Sequence, residues 1–456
     1  MDQKQYPLAA KRRWRFSPTQ TIALAFLGII LAGTLLLMLP ISARDGESCA
    51  FLPALFTATS ATCVTGLSLF DTWSQWSGFG QCVILAMIEL GGLGFMTAAS
   101  FVIFLLRRKV GLKQRMVMAQ ALSLHDMQGV VQLQKIVLLG SLAIQAAGAL
   151  VLFARFLPEY GFARALRWGI FHAVSAFCNA GFDIFGSLEP GSSLMLFNRD
   201  PVVLLTLGAL VIVGGLGFLV WEEVARVHSW KKFSVYTKLV LLMSLTLTLG
   251  GAVGFCALEW NNPLTLGGMD TADKLLNGLF QSITTRTAGF AAIDQSALTD
   301  GGKGLTMALM LVGGSSGSTA GGVKTVTLVV LLLFLWSRAR GRATVTVFKR
   351  TIPDNQALDA MTISAIMIGL AFFGGIFICA TSPVSFTDGL YESVSALATV
   401  GLTAGATGVL SVPAKILMII YMYFGRVGVL TLSLGFLMGN RAEERFRYAH
   451  TNLLIG

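Results

Sequence analysis

Charge is what this sequence has least of. Asp, Glu, Lys and Arg together make up only 12% of its 456 residues, against a hydrophobic fraction of 54%, and the mean hydropathy is +0.72. A soluble domain carries about a quarter charged residues, so this chain has too little polar side chain to cover a water-facing surface. Histidine is scarce, with four copies, which argues against a histidine metal site. The six cysteines (Cys49, Cys63, Cys82, Cys178, Cys256 and Cys379) form no Cys-x-x-Cys pair and sit mostly in apolar runs; neither a disulfide framework nor a zinc site is indicated. No His/Asp/Glu cluster at ligand spacing, serine elbow or phosphate loop is present, which argues against a membrane enzyme. The string GGSSGSTAGGVKT ends in Gly-x-Lys-Thr but lacks the adjacent Gly-Lys-Thr of a phosphate loop. No covalently bound cofactor and no nucleotide-binding domain is expected in this chain.

What is abundant is apolar sequence in long runs. A helix needs about twenty apolar residues to cross a bilayer. Eight such runs occur, at roughly 20–41, 79–106, 134–156, 201–221, 237–259, 304–336, 359–380 and 413–438. The basic N-terminus Met1–Arg15 precedes the first. That run is too long for a signal-peptide core and has no small-residue cleavage site, so it reads as a spanning helix.

Between the two members of each pair of runs lies a short segment that cannot span: Leu55–Thr62, Phe171–Cys178, Phe280–Arg286 and Tyr391–Ala398. Each is rich in small and hydroxyl residues and each leads to a glycine, namely Gly66, Gly181, Gly289 and Gly401, at spacings of 115, 108 and 112 residues. Aligned on that glycine the strings read CVTGL, CNAGF, RTAGF and ATVGL. A second echo follows in the later run of each pair: GGLGF at 91–95, GGLGF at 214–218, GGSSG at 313–317 and GRVGV at 425–429. Two markers in the same order, four times, identify a fourfold internal repeat.

The net charge is +11, which in a soluble chain would suggest nucleic acid. Here the basic residues cluster at the repeat boundaries: Lys11, Arg12, Arg13 and Arg15; Arg107, Arg108, Lys109, Lys113 and Arg115; Arg226, Lys231, Lys232 and Lys238; Arg338, Arg340, Arg342, Lys349 and Arg350; Arg441, Arg445 and Arg447. Segments inside the repeats are neutral or acidic. The positive-inside rule then puts both termini and every repeat boundary in the cytoplasm, and no nucleic-acid partner is expected. The repeats share one orientation, which disfavours an inverted-repeat transporter.

Backbone that is not helical is tolerated at membrane depth only inside protein or along a watery cavity. Four glycine-containing segments around one axis present rings of carbonyl oxygens, which can replace the hydration shell of a monovalent cation. The expected fold is therefore an all-α polytopic membrane protein. It has four M1–P–M2 repeats (eight spanning helices and four re-entrant pore helices) around one pseudo-fourfold cation pore. The expected divisions are a cytoplasmic N-terminus at 1–19, repeats at 20–110, 130–225, 235–337 and 357–439, and a cytoplasmic C-terminal segment at 440–456.

This organisation resembles the Trk/Ktr/HKT superfamily of potassium transporters, in particular KtrB, the membrane subunit of the bacterial Ktr potassium uptake system. The resemblance rests on TCVTGL (62–67), TTRTAGF (284–290), TVGL (399–402), GGSSGSTAGGVKT (313–325) and GRVGVLT (425–431). TrkH-type members begin with an extra helix pair for which this chain has no room before residue 20. The resemblance implies a potassium selectivity filter formed by the carbonyls of Val64, Thr65 and Gly66; Asn179, Ala180 and Gly181; Thr287, Ala288 and Gly289; and Thr399, Val400 and Gly401. In plant relatives a serine at the first filter glycine goes with sodium permeation, so Gly66 matches the potassium-selective pattern. The less uniform filters leave open a sodium-permeable or sodium-coupled transporter of the same fold.

The resemblance further implies an intramembrane gate at Gly313, Gly314, Ser315, Ser316, Gly317, Ser318, Thr319, Ala320, Gly321 and Gly322, with Lys324 just after it. Glycine costs about 1 kcal/mol relative to alanine in a helix interior, so this stretch interrupts its run. Arg426 is a mid-membrane charge, for which function is the default reading; the resemblance puts it in the pore, and the alternative is an ion pair with Glu89 or Glu392. Arg286 is expected to brace the third filter through a carboxylate. Cys63 and Cys178 are expected to face protein behind the filter, and Thr59, Ser60, Ser175 and Ser395 to bond backbone within the pore helices. A homodimer, a cytoplasmic regulatory subunit of KtrA/TrkA type that binds the nucleotide, and a bacterial cytoplasmic-membrane location complete what the resemblance implies.

Overall fold

The computed structural model describes residues 18–94, 130–342 and 344–428. The basic clusters at 11–15, 107–115 and 441–447, the segment 440–456, and the later parts of the second and eighth apolar runs lie outside the described residues.

The helices follow one another as α1 (Pro18–Leu37), α2 (Phe51–Thr62), α3 (Gly78–Gly92), α4 (Val130–Tyr160), α5 (Phe162–Phe177), α6 (Pro201–Leu216), α7 (Phe218–Val227), α8 (Val235–Glu259), α9 (Thr271–Thr284), α10 (Asp300–Leu311), α11 (Thr325–Ala339), α12 (Asp354–Thr381), α13 (Phe386–Leu397) and α14 (Val412–Val427). Four of them, α1, α4, α8 and α12, are long and apolar enough to cross a membrane; α3 and α11 are shorter apolar helices. The long helices show leucine and isoleucine outward: Leu35, Leu139, Leu150 and Ile376 are each at least 59% exposed. Such faces suit a lipid solvent.

The short helices α2, α5, α9 and α13 are arranged the other way round. Their hydroxyls are interior: Thr57, Thr59, Ser60 and Thr62 in α2 are at most 1% exposed, as are Ser175, Ser282, Ser393 and Ser395. Sequence-local caps start several helices. Asp200 accepts from the amides of Val202 and Val203 ahead of α6, Ser234 from Thr237 ahead of α8, and Ser385 from Asp388 ahead of α13. Each satisfies an amide that the first helical turn leaves free.

Two expectations need correction, while the interruption expected within the run 304–336 is present. The run 201–221 is not one straight helix: α6 and α7 meet at 94°. Gly217 takes φ +93 there, and the Phe218 amide is given to Gly317 O at 2.9 Å rather than to the helix. The run 304–336 divides into α10 and α11 around residues 312–324, as its glycine content predicts. And the chain is not wholly α-helical, because β1 (Val345–Val347) and β2 (Arg350–Ile352) pair as an antiparallel hairpin, with Val347 opposite Arg350. The β-branched residues of VTV and RTI fit a pleated strand. Phe348 and Lys349, at φ +46 and +61, make the tight turn that a two-residue hairpin requires.

Candidate functional site

Each short helix ends in a turn that points the chain back toward a common centre. Cys63, Cys178 and Ala398 cap α2, α5 and α13 in the α conformation. The next residue then turns left-handed: Val64 at φ +55, Asn179 at +59 and Thr399 at +53. In α9 the cap comes one position earlier, at Thr285, and Arg286 intervenes before Thr287 at φ +67. Three of these four are β-branched, for which a positive φ is a rare conformation. It costs roughly 1–3 kcal/mol per residue and persists only where surrounding structure enforces it.

That enforcement is visible. The amides of Thr65, Ala180 and Val400 bond back to Ser60 O, Ser175 O and Ser395 O, each at 2.8 Å. Ser60 and Ser395 also accept from the amides of Gly66 and Gly401 at 3.1 Å. Ser175 and Thr284 donate to Phe182 O and Phe290 O at 2.7 Å. The serines therefore bond the segments that follow their helices, not the helix backbone as expected, and Thr59 Oγ1 has no hydrogen-bond partner among the described residues.

Two residues past each left-handed residue stand the four glycines, with φ of +95, +68, +84 and +95 at Gly66, Gly181, Gly289 and Gly401. They close a ring. A Cβ on Gly66 would lie 2.5 Å from Ala180 O, on Gly181 2.7 Å from Ala288 O, on Gly289 2.5 Å from Val400 O, and on Gly401 2.1 Å from Thr65 O. Each glycine thus touches the carbonyl of the next repeat in strict cyclic order. Both the left-handed backbone and the close approach strongly penalise a side chain. A cavity of about 300 Å³ opens on the ring, lined by the four glycines with Asp71, Asp183, Thr403 and Thr407. The structure thereby brings all twelve residues of the expected filter positions into one constellation.

The second glycine marker has its own geometry. A Cβ on Gly91 would lie 1.9 Å from Thr62 O, on Gly214 2.0 Å from Phe177 O, and on Gly425 2.1 Å from Leu397 O. In these three repeats the first glycine of the motif lets the later helix press against the end of its own short helix. The glycine three positions on (Gly94, Gly217 and Gly428) has φ of +85 to +93 and ends the helix. The third repeat departs: a Cβ on Gly313 would lie 1.9 Å from Gly321 O.

Residues 313–322 fold as a loop against the underside of the ring-forming turns. The Ser315 and Thr319 amides bond Gly215 O and Gly214 O at 3.0 and 3.3 Å. Thr319 Oγ1 donates to Asn179 Oδ1 at 3.3 Å, and Gly321 abuts the Thr399 side chain. Lys324 donates to Ala320 O at 2.6 Å. Arg426 reaches the same loop from α14: one guanidinium nitrogen bonds Thr319 O, and the other bonds Gly91 O and, at 2.9 Å, Gly92 O. Neither carboxylate considered as its partner is used this way. Glu89 is bonded by Gln145 and by the Cys178 thiol, and Glu392 by the 403–407 turn.

Over residues 2–445 the chain matches the family described as TrkH, cation transport protein. The chain belongs to that family. Among its relatives, the "Potassium/sodium uptake protein NtpJ" of Enterococcus hirae is 40% identical over 97% of this chain and 98% of its own length. The "Ktr system potassium uptake protein B" of Bacillus subtilis is 39% identical over 95% and 96%. The crystal structure of the potassium transporter TrkH from Vibrio parahaemolyticus shares the fold, with a TM-score of 0.72 at 17% identity, covering 94% of this chain and 86% of that one.

Within this TrkH-family chain two features differ from, or go beyond, what the sequence suggested. Among the described residues Arg286 has no carboxylate partner; its guanidinium is held by Ser244 O and Oγ at 3.3 and 3.4 Å. Ser244 lies on α8, 42 positions away in the chain, so no local pattern announces it. The sequence also gave no notice of the braces outside the ring. Glu392 accepts from the Ala404 amide and the Thr407 hydroxyl, His172 from the Ile184 amide, and Gln281 pairs with Gln295 at 2.6 Å. They stand eight or nine positions before their glycines. That shared register is a signal an alignment of the four repeats could have exposed.

Proposed function

We propose that this chain takes up potassium through a channel-like pore whose selectivity filter is the ring at Gly66, Gly181, Gly289 and Gly401. The ring itself carries the reading. Four backbone segments meet in cyclic order with glycine at every contact, which leaves carbonyl oxygens as the groups able to replace a cation's water. The residues assigned to the filter are Val64–Gly66, Asn179–Gly181, Thr287–Gly289 and Thr399–Gly401. The names of the relatives from Enterococcus and Bacillus favour potassium. The former name also includes sodium, so sodium permeation or coupling is the second reading.

In this proposal Gly313–Gly322 obstructs the pathway beneath the filter, and Arg426 holds that obstruction while opposing cations with its charge. The chain divides into four M1–P–M2 repeats with eight spans, termini in the cytoplasm, in a bacterial cytoplasmic membrane. It works as a homodimer beside a cytoplasmic nucleotide-binding subunit of KtrA/TrkA type.

The test is growth at low potassium of a strain lacking its own uptake systems, expressing this chain with and without such a regulator. The expected result is rescue that Gly66→Ser weakens. Failure of rescue with the regulator present overturns the potassium reading. Rescue unaffected by the substitution removes the first filter from it.

A further inference from the structure

The loop at 313–322 is fastened at a second point, away from Arg426. At Gly217 the chain turns by 94° from α6 into α7, and this frees the Phe218 amide to bond Gly317 O at 2.9 Å. The adjacent carbonyl, Ser316 O, accepts from the Tyr236 hydroxyl at 2.9 Å. Tyr236 stands in the first turn of α8. One carboxylate then ties α7 to α8. Glu223 Oε1 accepts from the Ser234 amide at 2.5 Å, and Oε2 accepts from the Ser234 hydroxyl at 2.7 Å and from the Thr237 hydroxyl. The residues on the far side of α7 (Val224, Ala225 and Arg226) are exposed.

We propose that Tyr236 and Glu223 are positioning residues of a latch that holds the loop closed through Ser316 and Gly317, with α7 as its handle. Glu223 fixes where α7 and the start of α8 stand relative to one another. Those two elements carry the Phe218 amide and the Tyr236 hydroxyl, the two donors that hold consecutive carbonyls of the loop. A displacement of α7 therefore removes one donor directly and loosens the other through Glu223. No part of the latch touches the glycine ring, so it controls how often the loop opens and leaves ion preference alone.

This inference rests on the reading of Gly313–Gly322 as an obstruction, and its test separates the two. The chain is purified and reconstituted as wild type, Tyr236→Phe, Glu223→Gln and a variant shortened within 313–322. Rubidium uptake and amide hydrogen exchange over 312–325 are measured on each. Losing one hydrogen bond of ordinary net strength shifts a two-state equilibrium by about threefold to tenfold. The expected result is a rise of that size in uptake and in loop exchange for both point variants, with an unchanged potassium-to-sodium ratio. Adding Tyr236→Phe to the shortened loop should raise uptake no further. Unchanged exchange in both point variants overturns the latch. So does faster uptake from the shortened loop alongside unchanged uptake in Tyr236→Phe, which leaves the obstruction standing. Faster exchange with no gain in uptake from the shortened loop supports the latch and overturns the obstruction.

Discussion

The ring of glycines and the layer beneath it are built from the same four repeats, yet only the ring keeps fourfold order. At the ring every repeat contributes a left-handed residue and, two positions on, a glycine against its neighbour's carbonyl. Beneath it, three repeats press a helix glycine against their own short helix, while the third replaces that contact with the loop 313–322. A ring needs like parts, because each segment must satisfy the same close contact with the next. On the proposed reading of 313–322 as a plug, one unlike part is enough, because four copies of a loop cannot occupy the same axis. The asymmetry is confined to where one element suffices.

The comparison can be broken at the ring first. Gly401→Val places a branched side chain where even a Cβ lies 2.1 Å from Thr65 O. Uptake should fall by about a hundredfold or more, a barrier increase of roughly 3 kcal/mol; near-normal flux would show that ions do not pass the ring. Beneath the ring, shortening Gly313–Gly322 should raise uptake about tenfold, and a fall would assign the loop a supporting role instead. Gly66→Ser sharpens the contrast because it disturbs one segment of the ring. The potassium-to-sodium flux ratio should drop about tenfold, which corresponds to roughly 1.4 kcal/mol of differential ion stabilisation.

Gly91→Ala tests the layer between, since its Cβ would lie 1.9 Å from Thr62 O. Overpacking of this kind costs about 1–3 kcal/mol, read as a lower unfolding temperature of the purified protein. The smallest effect is expected outside the comparison, at the start of α13. Burial raises the Asp388 carboxyl, but its bonds to Lys303 (2.8 Å) and Ser385 outweigh that and hold it below the usual carboxylate range. A depressed carboxylate contributes stability above its unfolded value of about 3.9, and loses it as pH falls through the lower folded value. Lys303→Met should therefore cost under about 1 kcal/mol at neutral pH, and the difference from wild type should vanish in strong acid.

Much of the site was legible because its defining contacts are made by glycine. A backbone position that admits no Cβ marks the sequence wherever it recurs, so Gly66, Gly181, Gly289 and Gly401 stood out at nearly even spacing. The markers at Gly91, Gly214 and Gly425 did so for the same reason. The bend at Gly217 was less legible, since a glycine in an apolar run is as often a packing residue as a hinge. The partner of Arg286 was not legible at all. A carboxylate was expected on general grounds, yet among the described residues the guanidinium is held by the carbonyl and hydroxyl of Ser244.

The sequence by itself determined that this chain suits a bilayer and that two glycine markers recur four times in the same order. These properties follow from hydropathy, period and the steric demands of single residues, which each segment carries with it. Tertiary structure decided the cyclic order in which the repeats meet, the bonding of Arg426 to the 313–322 loop rather than to Glu89 or Glu392, and the 94° turn that gives the Phe218 amide to Gly317. Those outcomes depend on which segments meet across about a hundred or more residues of chain. No local pattern records such a meeting when the contacts are made by backbone carbonyls, which every residue possesses.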